Sequence, residues 1–140
     1  MKKQLAVFAA LVITSSLSFG ATLNSINQDQ CKQAFVGKTF TSVSTAQPNG
    51  KNNSVIVYMD DKGKIQGKFA DKPANAPQTD QGIYSIKEDG LICITWQHWF
   101  KGKEEHVYAY NTQNDYIMVD NNNIFHLVIM KSAIEPGNHL

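Results

Sequence analysis

The chain has 140 residues, a formal charge of +1, 18% charged and 42% hydrophobic residues, and two cysteines. That near-neutral balance lacks the basic footprint of a nucleic-acid binder, and the scattered lysines read as solvated surface. The length suits one domain able to bury a modest core.

The N-terminus, MKKQLAVFAALVITSSLSFGAT, has the form of a secretory signal peptide: Lys2 and Lys3, an apolar run from Leu5 to Ile13, and small residues at Ser18 and Gly20. Cleavage is expected near Gly20, which makes residues 1–20 a leader. The remaining 120 residues carry a formal charge of −1, since Lys2 and Lys3 leave with the leader. No later segment approaches the roughly 20 apolar residues of a membrane helix, and no cysteine stands at the cleavage region for a lipid anchor. A periplasmic or secreted protein with no stable membrane anchor is the expectation.

Residues 21–36 form an N-terminal segment in which Ile26 to Phe35 suits a short helix. Residues 37–131 then read as β-type runs punctuated by Gly, Asp and Asn, at 37–44, 54–60, 64–70, 82–87, 91–100, 104–110, 116–120 and 124–131. This spacing predicts an all-β fold: a single small antiparallel β-barrel, or a strongly curved meander sheet, of about eight strands and lipocalin-like. Residues 132–140 are assigned to a C-terminal tail.

Three turns allow the register to be read. Glu88-Asp89-Gly90 suits a three-residue loop closed by a left-handed glycine, so Lys87 pairs with Leu91, and Gly82, Tyr84 and Ile86 share a face with Ile92, Ile94 and Trp96. Asp61-Lys62-Gly63 sets Val55, Val57 and Met59 against Ile65, Gly67 and Phe69. Asn121–Asn123 pairs Asp120 with Ile124, which places Ile117, Val119, Phe125, Leu127 and Ile129 on one face and Met118, His126 and Met130 on the other. The loop ADKPANAPQTDQ, residues 70–81, is expected to cross an end of the barrel, where long loops often carry recognition.

In an oxidising compartment Cys31 and Cys93 are expected to pair. Closing that 62-residue loop would contribute roughly 4 kcal/mol. Cys93 falls on the outer face, so the bond would pin residues 24–35 to the outside of the sheet. The alternative, a redox or nucleophilic thiol, has neither a CxxC partner nor a basic cluster in its favour.

No GxSxG, serine–histidine or paired-carboxylate motif points to catalysis, and the chain reads as non-enzymatic, without a required cofactor. Trp96, His98, Trp99 and Tyr108 are the candidate ligand-binding residues, near a barrel mouth made by the 101–103 turn. His98 and His106 flank that turn, and a three-residue loop would set them opposite each other to hold zinc or copper with Glu104 or Glu105. A metal-binding protein or metal-dependent hydrolase is therefore an alternative reading. A secreted effector or inhibitor acting by surface contact is another. The expected partner is a small ligand or an envelope or host protein.

The pattern G-x-Y-x-I-x-x-D-G-x-x-C-x-x-W at Gly82–Trp96, with GKTF at Gly37–Phe40 and MDDKGKIQGKF at Met59–Phe69, resembles the small secreted bacterial proteins catalogued as domain of unknown function 995. The resemblance spans about residues 35–130. It implies a β-rich, signal-bearing protein of the Gram-negative envelope, periplasmic or exported. It supplies no catalytic residues, and a second cysteine expected near Tyr108 is missing here.

Overall fold

The computed structural model describes residues 23–44, 54–122 and 125–140; the segment expected to be a leader and part of the last asparagine turn lie outside them. One helix, α1 (Gln28–Phe35), precedes eight strands: β1 (Lys38–Ser44), β2 (Ser54–Met59), β3 (Lys64–Phe69), β4 (Thr79–Ile86), β5 (Ile92–Trp96), β6 (Glu104–Asn111), β7 (Asp115–Asp120) and β8 (Phe125–Pro136). Each strand pairs antiparallel with its sequence neighbour, and β8 pairs with β1, so the sheet closes into an eight-stranded barrel. Eight strands leave an interior that side chains nearly fill or that holds one small ligand.

Two of the turn readings give the observed register. In β2–β3, Val57 faces Gly67 and Met59 faces Ile65; in β4–β5, Gly82 faces Trp96 and Tyr84 faces Ile94. The β4–β5 turn closes with Lys87 N–H donating to the Leu91 carbonyl (2.9 Å) and Gly90 at φ +90°. A Cβ at Gly90 would also stand 1.9 Å from the Ile26 carbonyl oxygen, so the turn and the approach to α1 both exclude a side chain there.

The last hairpin differs. Val119 faces Phe125 as the turn predicts, but a bulge follows and Met118 faces Leu127. One extra residue on β8 reverses the parity of β7 relative to its partner. Leu127 and Ile129 still point inward, but they are joined by Met118 and Tyr116 rather than by Ile117 and Val119. Met130 is exposed on the outside.

The segment assigned to a tail is largely strand. β8 continues through Pro136, slips register on β1 between Phe40 and Ser42, and brings Pro136 opposite Lys38. Beyond it, Thr39 donates its hydroxyl to the Gly137 carbonyl (2.7 Å) and accepts from His139 N–H (3.0 Å). At the other extreme, β5 stops at Trp96 rather than reaching residue 100, because residues 97–103 turn away from the sheet.

Helix α1 begins with a reciprocal cap in which Asn27 Oδ1 accepts from Gln30 N–H (3.0 Å) and Gln30 Oε1 accepts from Asn27 N–H (2.9 Å). Its approach bonds to β6, through Ile26 N–H on the Ala109 carbonyl, and its exit bonds to β2, through Gly37 N–H on the Met59 carbonyl. β2 and β6 are four strands apart, on opposite sides of an eight-stranded barrel, so α1 lies across one end of it. Phe35 is fully buried there, its ring 5.2 Å from Phe40 and 5.0 Å from Tyr116.

This placement corrects the expected disulfide. Cys31 and Cys93 are not bonded. Cys31 points from α1 into the barrel end, its Sγ toward the Ile26 and Gly90 carbonyls, whereas Cys93, between the inward Ile92 and Ile94, faces the outer wall. Burial pushes the Cys31 thiol up to about 11. The purified protein is expected to have the intact mass of the reduced chain, and Cys31 should be alkylated at neutral pH only after denaturant is added; a mass lower by two hydrogens would show the bond instead.

Candidate functional site

The inward residues do not fill the barrel completely. A cavity of about 120 Å³ remains, walled by apolar side chains that include Val57, Ile65, Ile94, Val107, Met118 and Leu127. Among the described residues, Glu105 is the one charged side chain on that wall; it is partly buried and stands on β6 across from Ile94. α1 shuts one end of the barrel, while the opposite end is aromatic.

That aromatic end depends on a glycine. Trp96 and Trp99 pack with ring centroids 4.7 Å apart, and Phe69 lies 4.4 Å from Trp99. Both indoles rest against the bare backbone of Gly67, where a Cβ would come within 2.6 Å of Trp99 and 2.8 Å of Trp96. Trp99 donates from Nε1 to the Pro77 carbonyl (2.8 Å), which ties the 70–78 loop over this end as expected. Phe100 lines the cavity and is 54% exposed, so it sits at the mouth.

The mouth is held in an uncommon backbone. Phe100 (φ 53°) and Lys101 (φ 58°) are both left-handed, which costs on the order of 1–2 kcal/mol per non-glycine residue. Asp80 anchors the segment in front of them. It lies on the inward parity of β4, its side chain 1% exposed, and accepts from His98 N–H (2.8 Å), Trp99 N–H (2.7 Å) and the His98 ring Nδ1 (2.9 Å). Burial pushes the Asp80 carboxyl up, but the hydrogen bonds from Trp99 and His98 outweigh it and hold the group below its ordinary value.

Of the residues proposed from sequence, Trp96 and Trp99 form the cavity's mouth. His98 does not line it: its ring is 65% exposed and faces a polar groove with Gln66, Thr79, Gln81 and Gln97. Tyr108 is on the outer wall towards the α1 end, with its hydroxyl donating to Asp89 (2.9 Å); that bond raises the phenol and, with the Leu91 N–H, lowers the carboxyl. Nor are His98 and His106 paired across strands. The β5–β6 connection is seven residues long, so His106 faces Cys93. Asp80 carries no motif that sequence reasoning would pick out. Extending β4 to Thr79 would have revealed Asp80, which shares the parity of Gly82.

Among the described residues no helix is long and apolar enough to cross a membrane. Comparison with protein-family models, with curated proteins and with solved structures finds no match to this chain.

Two substitutions test the mouth. Gly67→Ala is expected to displace both indoles and destabilise the barrel by about 1–3 kcal/mol, with a red-shifted tryptophan emission. Asp80→Asn should cost about 1–3 kcal/mol at neutral pH by leaving donors poorly matched. Because the folded carboxyl titrates below the unfolded value of about 3.9, its contribution is complete above that value and disappears as pH falls through the folded one. Urea midpoints of wild type and Asp80→Asn should therefore converge below about pH 4.

Proposed function

We propose that the protein is an exported, non-enzymatic barrel of the bacterial envelope that takes a small, mainly apolar ligand into its interior. The carrying observation is the cavity itself: about 120 Å³, apolar on nearly all sides and bounded at one end by Trp96, Trp99 and Phe100, inside a barrel whose other end α1 covers. An apolar cavity of roughly 150 Å³ in another protein stays dry and accepts benzene, so a single ring or a short branched alkyl group is the size to expect. Glu105 on the wall favours a ligand with an amine or hydroxyl at one end. The leader-like N-terminus and the resemblance to domain of unknown function 995 support the envelope destination, and burial of both thiols is compatible with an oxidising compartment.

The two cavity tryptophans are the only ones in the chain, so tryptophan emission, excited where tyrosine does not absorb, reports on this site alone. Titration with benzyl alcohol and benzylamine should change the emission saturably, benzylamine at the lower concentration. Trp99→Ala is a poor control, since deleting a buried tryptophan costs about 3–5 kcal/mol. Val107→Phe instead fills the cavity from its wall, and should abolish saturation while the protein stays folded by circular dichroism. Identical titrations of wild type and Val107→Phe would remove the cavity as a binding site.

A further inference from the structure

On the outer wall, away from the cavity, β5 and β6 bring three different metal-binding side chains together. Cys93 stands directly across from His106, a pairing that places Cβ atoms roughly 4.5–5.5 Å apart. Glu104 lies two residues before His106, on the same face of β6. One donor atom from each of Cys93, Glu104 and His106 lies within 4.8 Å of the other two, with His106 Nε2 2.5 Å from Glu104 Oε1. The thiol is at the base, Cys93 being 6% exposed, while the imidazole and carboxylate stand at the rim, 35% and 56% exposed.

We propose that these residues form a Zn²⁺ site with three protein ligands, Cys93 Sγ, a ring nitrogen of His106 and a carboxylate oxygen of Glu104, and a fourth position open to water. Zinc binds sulfur at about 2.3 Å and nitrogen or oxygen at about 2.0–2.2 Å, so tetrahedral donors stand on the order of 3.5 Å apart. The cluster already approaches that spacing. Inserting the ion requires the His106–Glu104 contact to open by about an ångström, which two partly exposed side chains on one strand can do by rotation while Cys93 stays in place. Binding replaces the Cys93 thiol proton, which leaves to solvent, by the metal.

The donor set also selects the ion. A thiolate disfavours Ca²⁺ and Mg²⁺, which take oxygen ligands, and the nitrogen and oxygen donors favour Zn²⁺ over Cu⁺. Tyr108, the next residue on this face of β6, is already bonded to Asp89. The site is independent of the cavity, whose walls face the other side of the same strands.

Cobalt titration of the purified protein, stripped with chelator and kept reduced, tests it. One Co²⁺ per chain should bind with a thiolate-to-metal charge-transfer band in the near ultraviolet, and Zn²⁺ should displace it. Cys93→Ser should abolish the band and His106→Gln should weaken Co²⁺ binding roughly tenfold or more, while His98→Gln changes neither. Should Cys93→Ser fail to fold, His106→Gln and Glu104→Gln, at accessible positions, still decide. No charge-transfer band in the wild type, or wild-type affinity in both His106→Gln and Glu104→Gln, would overturn the assignment.

Discussion

The pairing of β1 with β8 is the contact on which the rest of the molecule depends. Without it both strands would be edges with unsatisfied backbone groups, and the inward side chains of eight strands would have no common interior. β8 manages the closure by being longer than its neighbours. Its first half pairs with β7, its last residues reach the start of β1, and the register slip between Phe40 and Ser42 absorbs the curvature. Closing the ring also gives the barrel its two ends, and these are built differently.

At one end α1 acts as a plug. Its Phe35 ring meets Phe40 and Tyr116, its Cys31 thiol is sealed, and hydrogen bonds anchor it to strands on opposite sides of the barrel. At the other end the interior is covered by side chains and loops rather than by a helix. Trp99 folds back from the 97–103 connection onto Gly67, and Asp80 holds the connection in place through three hydrogen bonds. The left-handed Phe100 and Lys101 persist because this anchoring over-determines them, and local strain of that kind tends to gather where a ligand is handled. An asymmetric barrel, shut at one end and aromatic at the other, is the geometry on which the ligand-binding reading rests.

The candidate sites show where reasoning from the chain stops. Alternation assigned Trp96 to the interior and Cys93 to the exterior, because parity within a strand is set by the pleat. It could not pair β5 with β6, because that pairing depends on how many residues leave the sheet between them. A three-residue loop would have placed His98 beside His106. The seven-residue connection, stabilised by Trp99 packing on Gly67 and by the Asp80 carboxylate, instead brings Cys93 to His106 and turns His98 outward onto a structural hydrogen bond. In the sequence Asp80 is one more polar residue at the end of a loop, and only its burial against three donors shows its role.

The sequence by itself determined the all-β class, the number of strands, the short N-terminal helix and the register of the two hairpins closed by glycine turns. These follow from local rules: period-two alternation and left-handed glycines act over a few residues and need no distant partner. Tertiary structure decided that the sheet closes, that α1 plugs the barrel instead of lying on its wall, and that the two cysteines stay apart. It also decided the bulge that exchanges Ile117 and Val119 for Met118 and Tyr116 in the core. Each of these outcomes is a competition for the same interior volume among segments far apart in the chain, and that competition has no signature in any single stretch of sequence.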